Sequence, residues 1–484
     1  MTTASASAGP PDRRPGTTTM GRRTSDAKRP IRPGLLLAVL ATTQLTLQLD
    51  TTIVTVALPS VQAALGISDA DRHWVVTAYA ITFGGLLLLG GRVGDYLARK
   101  RALVWSLVGF GIASLLGGLA GTAGLLYAAR ALQGASGAVL APVVLSLITT
   151  SFTEPGHRAK AFAVWGGVGG LGASLGLLLG GVLTEYTSWR WTLLVNAPLA
   201  VAIAVAALLV VRESKATVRG RLDLPGTVTS TLGVAAIVYG ATLAESYGWA
   251  SVQALGPMVG GLVLLAAFVG IEHRATDPLL PLSVLADRVR GSSFGATALL
   301  AGAIFASNVL IIYYLQQVRG YNAFESGLAF LPNTLAVLAF ATVGGRLVLR
   351  VGPRVVIAAG AASGVAGFLL LASADGATPL AVLVAAMALV GAAVGLSWPA
   401  LSATALTGVP DEHAGAAGGT VNAAQQVSGA VVVAVLNTVA AGVTAGSGSL
   451  MDGLSVALLV CAGLMVATVL VSLNITVPRE RTQS

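Results

Sequence analysis

The stretch TTQLTLQLDTTIVTVALPS, residues 42–60, places a carboxylate, Asp50, inside a run that otherwise reads as a membrane-crossing helix. An acidic side chain at the centre of a bilayer costs about 2.5 kcal/mol or more. Either this run is not a span, or Asp50 faces a partner or an internal cavity. Composition decides in favour of a span. Hydrophobic residues fill 55% of 484 positions and charged residues only 10%, with a mean hydropathy of +0.81. A soluble domain of this length does not bury so much apolar side chain. Many apolar runs hold the roughly 20 residues needed to cross about 30 Å of hydrocarbon. The expected class is an all-α polytopic membrane protein. Sixty glycines suit helices that approach backbone to backbone, and the continuous, non-alternating runs exclude an outer-membrane barrel. The single cysteine, Cys461, offers neither a disulfide nor a cysteine metal site, and His73, His157, His273 and His413 sit singly at span edges. No metal is expected.

Apolar runs divided at charged or Pro/Gly punctuation give fourteen spans. They lie near 34–58, 73–91, 102–121, 123–149, 159–184, 191–211, 224–244, 254–272, 292–317, 326–348, 353–374, 379–405, 414–440 and 453–475. Residues 1–33 are polar and read as a disordered cytoplasmic tail rather than a cleaved signal peptide, and 476–484 as a second cytoplasmic tail. On this arrangement 25 of the 29 lysines and arginines lie inside, three (Arg72, Arg190, Arg319) lie outside, and Arg130 falls within a span. That asymmetry puts both termini in the cytoplasm. It also explains the net charge of +9 without nucleic acid, since no span-free basic domain exists to hold a duplex.

An internal echo divides the chain. GGRVGDYLARKR (90–101) follows span 2, and GGRLVLRVGPRV (344–355) follows span 10. Two related six-span halves would put the second copy after span 8, so two extra spans are expected between them. The divisions are an N-terminal bundle (34–211), two added spans with their loops around Glu245 and Trp249 (212–273), and a C-terminal bundle (274–475). Repeated halves around a midplane site are the architecture of secondary transporters.

Helix arithmetic pairs the two charges. Asp50 lies about 12 Å below the outer end of span 1, and Arg130 about 11 Å below the same face on span 4, at 1.5 Å per residue. An arginine favours the ionised carboxylate while burial favours the neutral acid, so such a pair can take up and release a proton. The alternative is a fixed ion pair that only positions two helices. In the loop after span 2, Gly91 allows close helix approach, and Asp95 can bridge to arginines such as Arg99 or cap span 3, beside Lys100; the alternative is a charge cluster that merely orients the spans. Gly172, Gly176 and Gly180 form one smooth stripe on span 5. Tyr79, Gln133, Asn308, Asn422 and Gln425, with Trp74, Tyr313, Trp398 and Gln426, are candidates to line a substrate cavity, although interhelical hydrogen bonding or interface anchoring is the favoured role for each, and Trp74 is expected in the outer aromatic belt.

Several runs share a pattern: LDTTIVTVALP (49–59), GGRVGDYLARKR (90–101), LYAARALQGASGA (126–138, with Arg130, Gln133 and Gly134), GASLGLLLGG (172–181), SWRWTLLVNAP (188–198) and RLDLPG (221–226). Together they resemble the major facilitator superfamily, specifically its fourteen-span drug:proton antiporters of the QacA and EmrB type, over nearly the whole chain after residue 34. Departures from the family pattern are Thr55 for asparagine, Ala98 for glycine in the loop motif, and Leu177 for proline in the antiporter motif that also holds Gly181. The resemblance implies a major facilitator fold of two six-helix bundles plus two extra spans, and proton-coupled efflux of small amphipathic or hydrophobic compounds by alternating access. It implies a gating role for Gly91, Asp95, Arg99 and Lys100, and a monomeric transporter, not an enzyme, in the cytoplasmic membrane. No GxxxxGK[ST] phosphate loop is present, so a proton gradient is the expected energy source and no cofactor is expected. The alternative reading is a proton-coupled transporter of one metabolite, importers included.

Overall fold

The computed structural model describes residues 33–68, 71, 74–213, 223–275, 278 and 285–475. Both tails, Arg72 and His73, and the side chains of Leu177 and Glu245 lie outside the described residues. The described chain is helical: α1 (Pro33–Leu65), α2 (Trp74–Leu97), α3 (Arg99–Gly118), α4 (Ala123–Ser151), α5 (Pro155–Tyr186), α6 (Trp191–Leu194), α7 (Asn196–Val210), α8 (Leu224–Tyr247) and α9 (Val252–Glu272). It continues as α10 (Arg288–Tyr313, extended by a π-helical turn Tyr314–Val318), α11 (Ala323–Ala329), α12 (Leu331–Val351), α13 (Pro353–Ala372), α14 (Leu380–Ala405), α15 (Ala414–Ser447) and α16 (Leu450–Ser472).

Twelve helical segments among the described residues are long and apolar enough to cross a membrane, where the sequence reading expects fourteen spans. The two expected spans outside that set are α1 and α5, of 33 and 32 residues. Polarity dilutes α1. Thr42, Thr43, Thr46, Thr51, Thr52 and Thr55 each donate to a carbonyl three or four residues earlier. The hydroxyls are thereby satisfied within the helix itself. The expected sixth span is broken into α6 and α7 because Pro198 has no N–H for the Leu194 carbonyl, four residues before it.

The Gly-Gly-Arg echo is matched in packing. A methyl group on Gly90 would strike the Ala138 carbonyl of α4, and one on Gly91 the Gly415 carbonyl of α15. In the second copy, a methyl on Gly344 would lie 3.3 Å from Leu396 Cα of α14, and one on Gly345 3.0 Å from Ala163 Cβ of α5. In each copy the first glycine seats a nearby helix, and the second seats a helix from the far side of the chain. The register extends through the turn. Gly352 has φ +86°, and its counterpart Ala98 has φ +69°, the one non-glycine residue with positive φ among those described. The turn expected to need glycine is thus kept, with an alanine methyl in a backbone conformation that L side chains resist.

The α5 stripe faces α1. A methyl on Gly172 would lie 2.8 Å from Gln48 Cβ, one on Gly180 2.8 Å from the Ile53 carbonyl oxygen, and one on Gly176 would strike Thr52 Oγ1. Gly181, grouped with them by motif, points into open space. Helices α8 and α9 pair with each other, and α8 also packs on α2 and α15.

Two outcomes follow from this packing. Ala98→Gly should raise the thermal unfolding midpoint of the detergent-solubilised protein, because about 1–2 kcal/mol of backbone strain is relieved against about 0.5–1 kcal/mol of added unfolded-chain entropy. A lowered midpoint would contradict the strain. Gly180→Ala should lower that midpoint, since its obstacle is backbone and overpacking costs about 1–3 kcal/mol. Gly181→Ala should leave the midpoint unchanged or slightly higher, and equal losses for both would rule out the assigned faces.

Candidate functional site

Asp50 and Arg130 meet. Arg130 Nη1 lies 2.7 Å from Asp50 Oδ2, with the two side chains 1% and 0% exposed. An ionised carboxylate can only accept hydrogen bonds, and its oxygens need donors from several directions. Asp50 Oδ1 accepts from Gln133 Nε2 of α4 at 2.9 Å and from Asn196 Nδ2 of α7 at 2.8 Å. Gln133 is locked at both ends: its Oε1 accepts from Arg130 Nη1 at 2.9 Å, and its Nε2 also donates to Ser114 Oγ of α3 at 2.7 Å. Arg130 Nε donates to the Val75 carbonyl of α2 at 3.1 Å. The Tyr79 ring of the same helix lies 4.5 Å from the guanidinium carbon, a cation–π contact. Five helices therefore converge on one buried ion pair. Removing either partner would strand a charge, at a cost of about 3–5 kcal/mol.

Gln133 and Tyr79, expected as cavity candidates, belong to this cluster. Asn196 and Ser114 were not singled out from the sequence. Asn196 lies inside the quoted run SWRWTLLVNAP, two residues before the helix-breaking Pro198, and that juxtaposition was the available signal. Ser114 gives no signal in an apolar run.

The carboxyl-terminal end of α2 forms a second cluster. Asp95 is buried and lies 3.5 Å from Arg99. Its carboxylate abuts the amino end of α15: a methyl on Gly415 would sit 2.6 Å from Asp95 Oδ2. Carboxylates are favoured at a helix N-terminus by its unpaired N–H groups and dipole. Arg99 Nε donates to Ser146 Oγ of α4 at 2.6 Å, and its Nη2 donates to the Asp411 carbonyl just before α15. Arg92 donates to the Pro278 carbonyl. Gly91, Asp95 and Arg99 are thus brought together against α15. Lys100 is not. Its Nζ turns to the Leu208 carbonyl at the end of α7, 2.7 Å away. In the second copy of the echo the position of Asp95 is taken by Leu349, which is exposed.

The remaining cavity candidates lie on α10 and α15. Gly418 of α15 packs on Pro142 and Leu145 of α4, and Gly429 packs on the Phe305 ring of α10. Gln425 shares that helical face, so it sits at the junction of α4 and α10. It is buried, and its Nε2 has no hydrogen-bond partner among the described residues. Trp398 of α14 contacts Phe305 with ring centroids 6.2 Å apart. Asn422 donates back to the Gly418 carbonyl at 2.9 Å, and Asn308 is half-buried on α10, one turn beyond Phe305. Trp74, read from sequence as an outer-belt residue, packs on Tyr239 of α8 at 5.8 Å.

The sequence profile described as Major Facilitator Superfamily matches residues 40–433. The chain is 46% identical to the puromycin resistance protein pur8 of Streptomyces alboniger, over 84% of this chain and 82% of that protein. It is 41% identical to the cephamycin export protein CmcT of Amycolatopsis lactamdurans, over 82% and 83%. It is 36% identical to the lincomycin resistance protein of Streptomyces lincolnensis, over 86% of each. Among solved structures, the human organic anion transporter MFSD10 (TETRAN) is similar in fold, with a TM-score of 0.67 at 17% identity, covering 92% of this chain and 100% of that one. The chain is a multi-pass membrane protein and belongs to the major facilitator superfamily.

Proposed function

We propose that this chain exports small amphipathic or hydrophobic compounds of the antibiotic class by alternating access, exchanging them for protons bound at Asp50. The identity to resistance and export proteins for puromycin, cephamycin and lincomycin supports the export direction and the substrate class. The observation that carries the coupling is the fully buried Asp50–Arg130 pair. Protonation cancels the charge that Arg130 answers and loosens α1 from α4; loss of the proton restores the pair. One proton entering down 100 mV gives about 2.3 kcal/mol, and one pH unit adds about 1.4 kcal/mol. For a neutral substrate exchanged one for one, that supports a gradient of several hundredfold.

Alternating access needs a closure that breaks. Asp95 and Arg99 tie the α2–α3 turn to the start of α15, and this reading makes them the latch of the inner gate. The aromatic pair Phe305 and Trp398, with the Gln425 Nε2 that has no hydrogen-bond partner among the described residues, supports a substrate surface on α10, α14 and α15. Helices α1 and α5 complete a fourteen-span arrangement of the QacA and EmrB type. Each is about 50 Å long at 1.5 Å per residue, enough to cross the bilayer. Two six-helix bundles, with α8 and α9 inserted between them, accommodate the paired contacts of the Gly-Gly-Arg copies. The charge asymmetry supports a cytoplasmic-membrane location with both termini inside, and the protein acts as a monomer.

The test of coupling is Asp50→Asn in reconstituted vesicles. Substrate-induced proton movement and uphill export should fall to background, while downhill exchange survives. Normal proton movement with normal uphill export would remove Asp50 from the coupling step. The latch has its own test. Asp95→Asn loses a charge facing Arg99 and a helix N-terminus, worth about 1–2 kcal/mol, so transport should fall roughly tenfold with insertion unchanged. Labelling of a cysteine placed on the inner face of α15 should rise in parallel, and wild-type export with unchanged labelling would reduce the motif to an orientation signal.

A further inference from the structure

The partners of Asp50 are all donors, which suits its ionised form alone. Arg130 and Gln133 of α4 and Asn196 of α7 point N–H groups at it. Once a proton arrives, one carboxyl oxygen becomes a hydroxyl, and a buried hydroxyl without an acceptor costs about 1–3 kcal/mol. The neighbours differ in their freedom to accept. Arginine has no acceptor atom. Gln133 is held by Arg130 on its Oε1 and by Ser114 on its Nε2. Asn196 makes one side-chain hydrogen bond among the described residues, to Asp50 Oδ1, and its own Oδ1 is uncommitted. The charged or titratable groups that face the pair are Arg130 itself and Tyr79 of α2. The helices α3 and α7 present uncharged Ser114 and Asn196, and the glycine stripe of α5 packs instead on Gln48, Thr52 and Ile53 of α1.

We propose that Asn196 is a positioning residue whose amide turns over when Asp50 is protonated, accepting from the new hydroxyl through its Oδ1. This rests on the reading of Asp50 as the coupling site. The proton adds to Asp50 Oδ1, the oxygen without the arginine. The Asn196 amide rotates about half a turn around Cβ–Cγ, so that its carbonyl replaces its N–H2 toward Asp50. No covalent bond in Asn196 is made or broken. When the proton leaves, the amide turns back. Asn196 is the first residue after the break between α6 and α7, so the residue that turns with the protonation state sits at that break.

The experiment is infrared difference spectroscopy of the reconstituted full chain between alkaline and acid pH, with 13C-labelled asparagine side chains and the variants Asp50→Asn, Asn196→Leu and Asn196→Thr. The wild type should show a carboxylic-acid carbonyl band that Asp50→Asn removes, and a labelled amide carbonyl shift that both Asp50→Asn and Asn196→Leu remove. Asn196→Thr keeps a rotatable hydroxyl that donates or accepts. It should retain uphill export within about threefold, whereas Asn196→Leu should lose about tenfold or more while keeping downhill exchange; these ratios correspond to one hydrogen bond. An acid band without an amide shift overturns the role of Asn196 and leaves the coupling site standing. Absence of the acid band in the wild type overturns both.

Discussion

A carboxylate inside a lipid-embedded bundle must be met by donors, and Asp50 imposes that demand on the helices around it. Uncompensated burial of an ion costs several kcal/mol even after relaxation. Arg130 of α4 neutralises it, Gln133 and Asn196 satisfy the second oxygen, and Ser114 and Val75 hold these partners in place. Each donor requires its helix at a defined depth and rotation. The threonines of α1 bond within their own helix and compete for none of these donors. The glycines of α5 let that helix lie against α1 without disturbing the face that carries the acid.

A second constraint governs how the two sides of the molecule meet. Pairs of adjacent glycines on α2 and α12 seat one helix each from their own side and one from the other. Contacts of this kind are shallow and backbone-dominated, so they can be made and broken without repacking large side chains. A buried acid is added to only one of the two, because Asp95 has the exposed Leu349 as its counterpart. The first seam therefore joins a buried ion pair to its packing, Asp95 with Arg99.

Much of this was legible from the chain. Helical rise alone put Asp50 and Arg130 at matching depth, because a regular helix converts residue count into distance. The Gly-Gly-Arg echo located equivalent helices because glycine marks close approach wherever it recurs. The readings that failed to separate roles were those in which direction matters. Gly181 follows the stripe by one residue and points elsewhere, and Lys100 follows Arg99 but turns to α7. Tyr79 and Gln133 were read as cavity residues because polarity in a span says that a partner exists without saying which one. Asn196 depended on a helix break, and Ser114 on the rotation of α3. Helix α1 falls outside the twelve apolar segments because polarity, useful for function, lowers the very signal by which spans are recognised.

The placement of α8 has a consequence for how freely the molecule can rock. It lies across a joint. Gly85 of α2 makes room for the Thr231 backbone of α8, Trp74 packs at a tilt on Tyr239, and the loop after α8 sends Trp249 Nε1 to Thr438 Oγ1 of α15, 2.7 Å away. Any motion that parts α2 from α15 must slide α8 along one of them or stretch the tryptophan bond. The outer face of this pair is α9, which exposes Val252, Leu262 and Val263 and would therefore drag against the acyl chains as it moved. Helices α8 and α9 act as a damped strut, so that membrane viscosity enters the timing of any such motion.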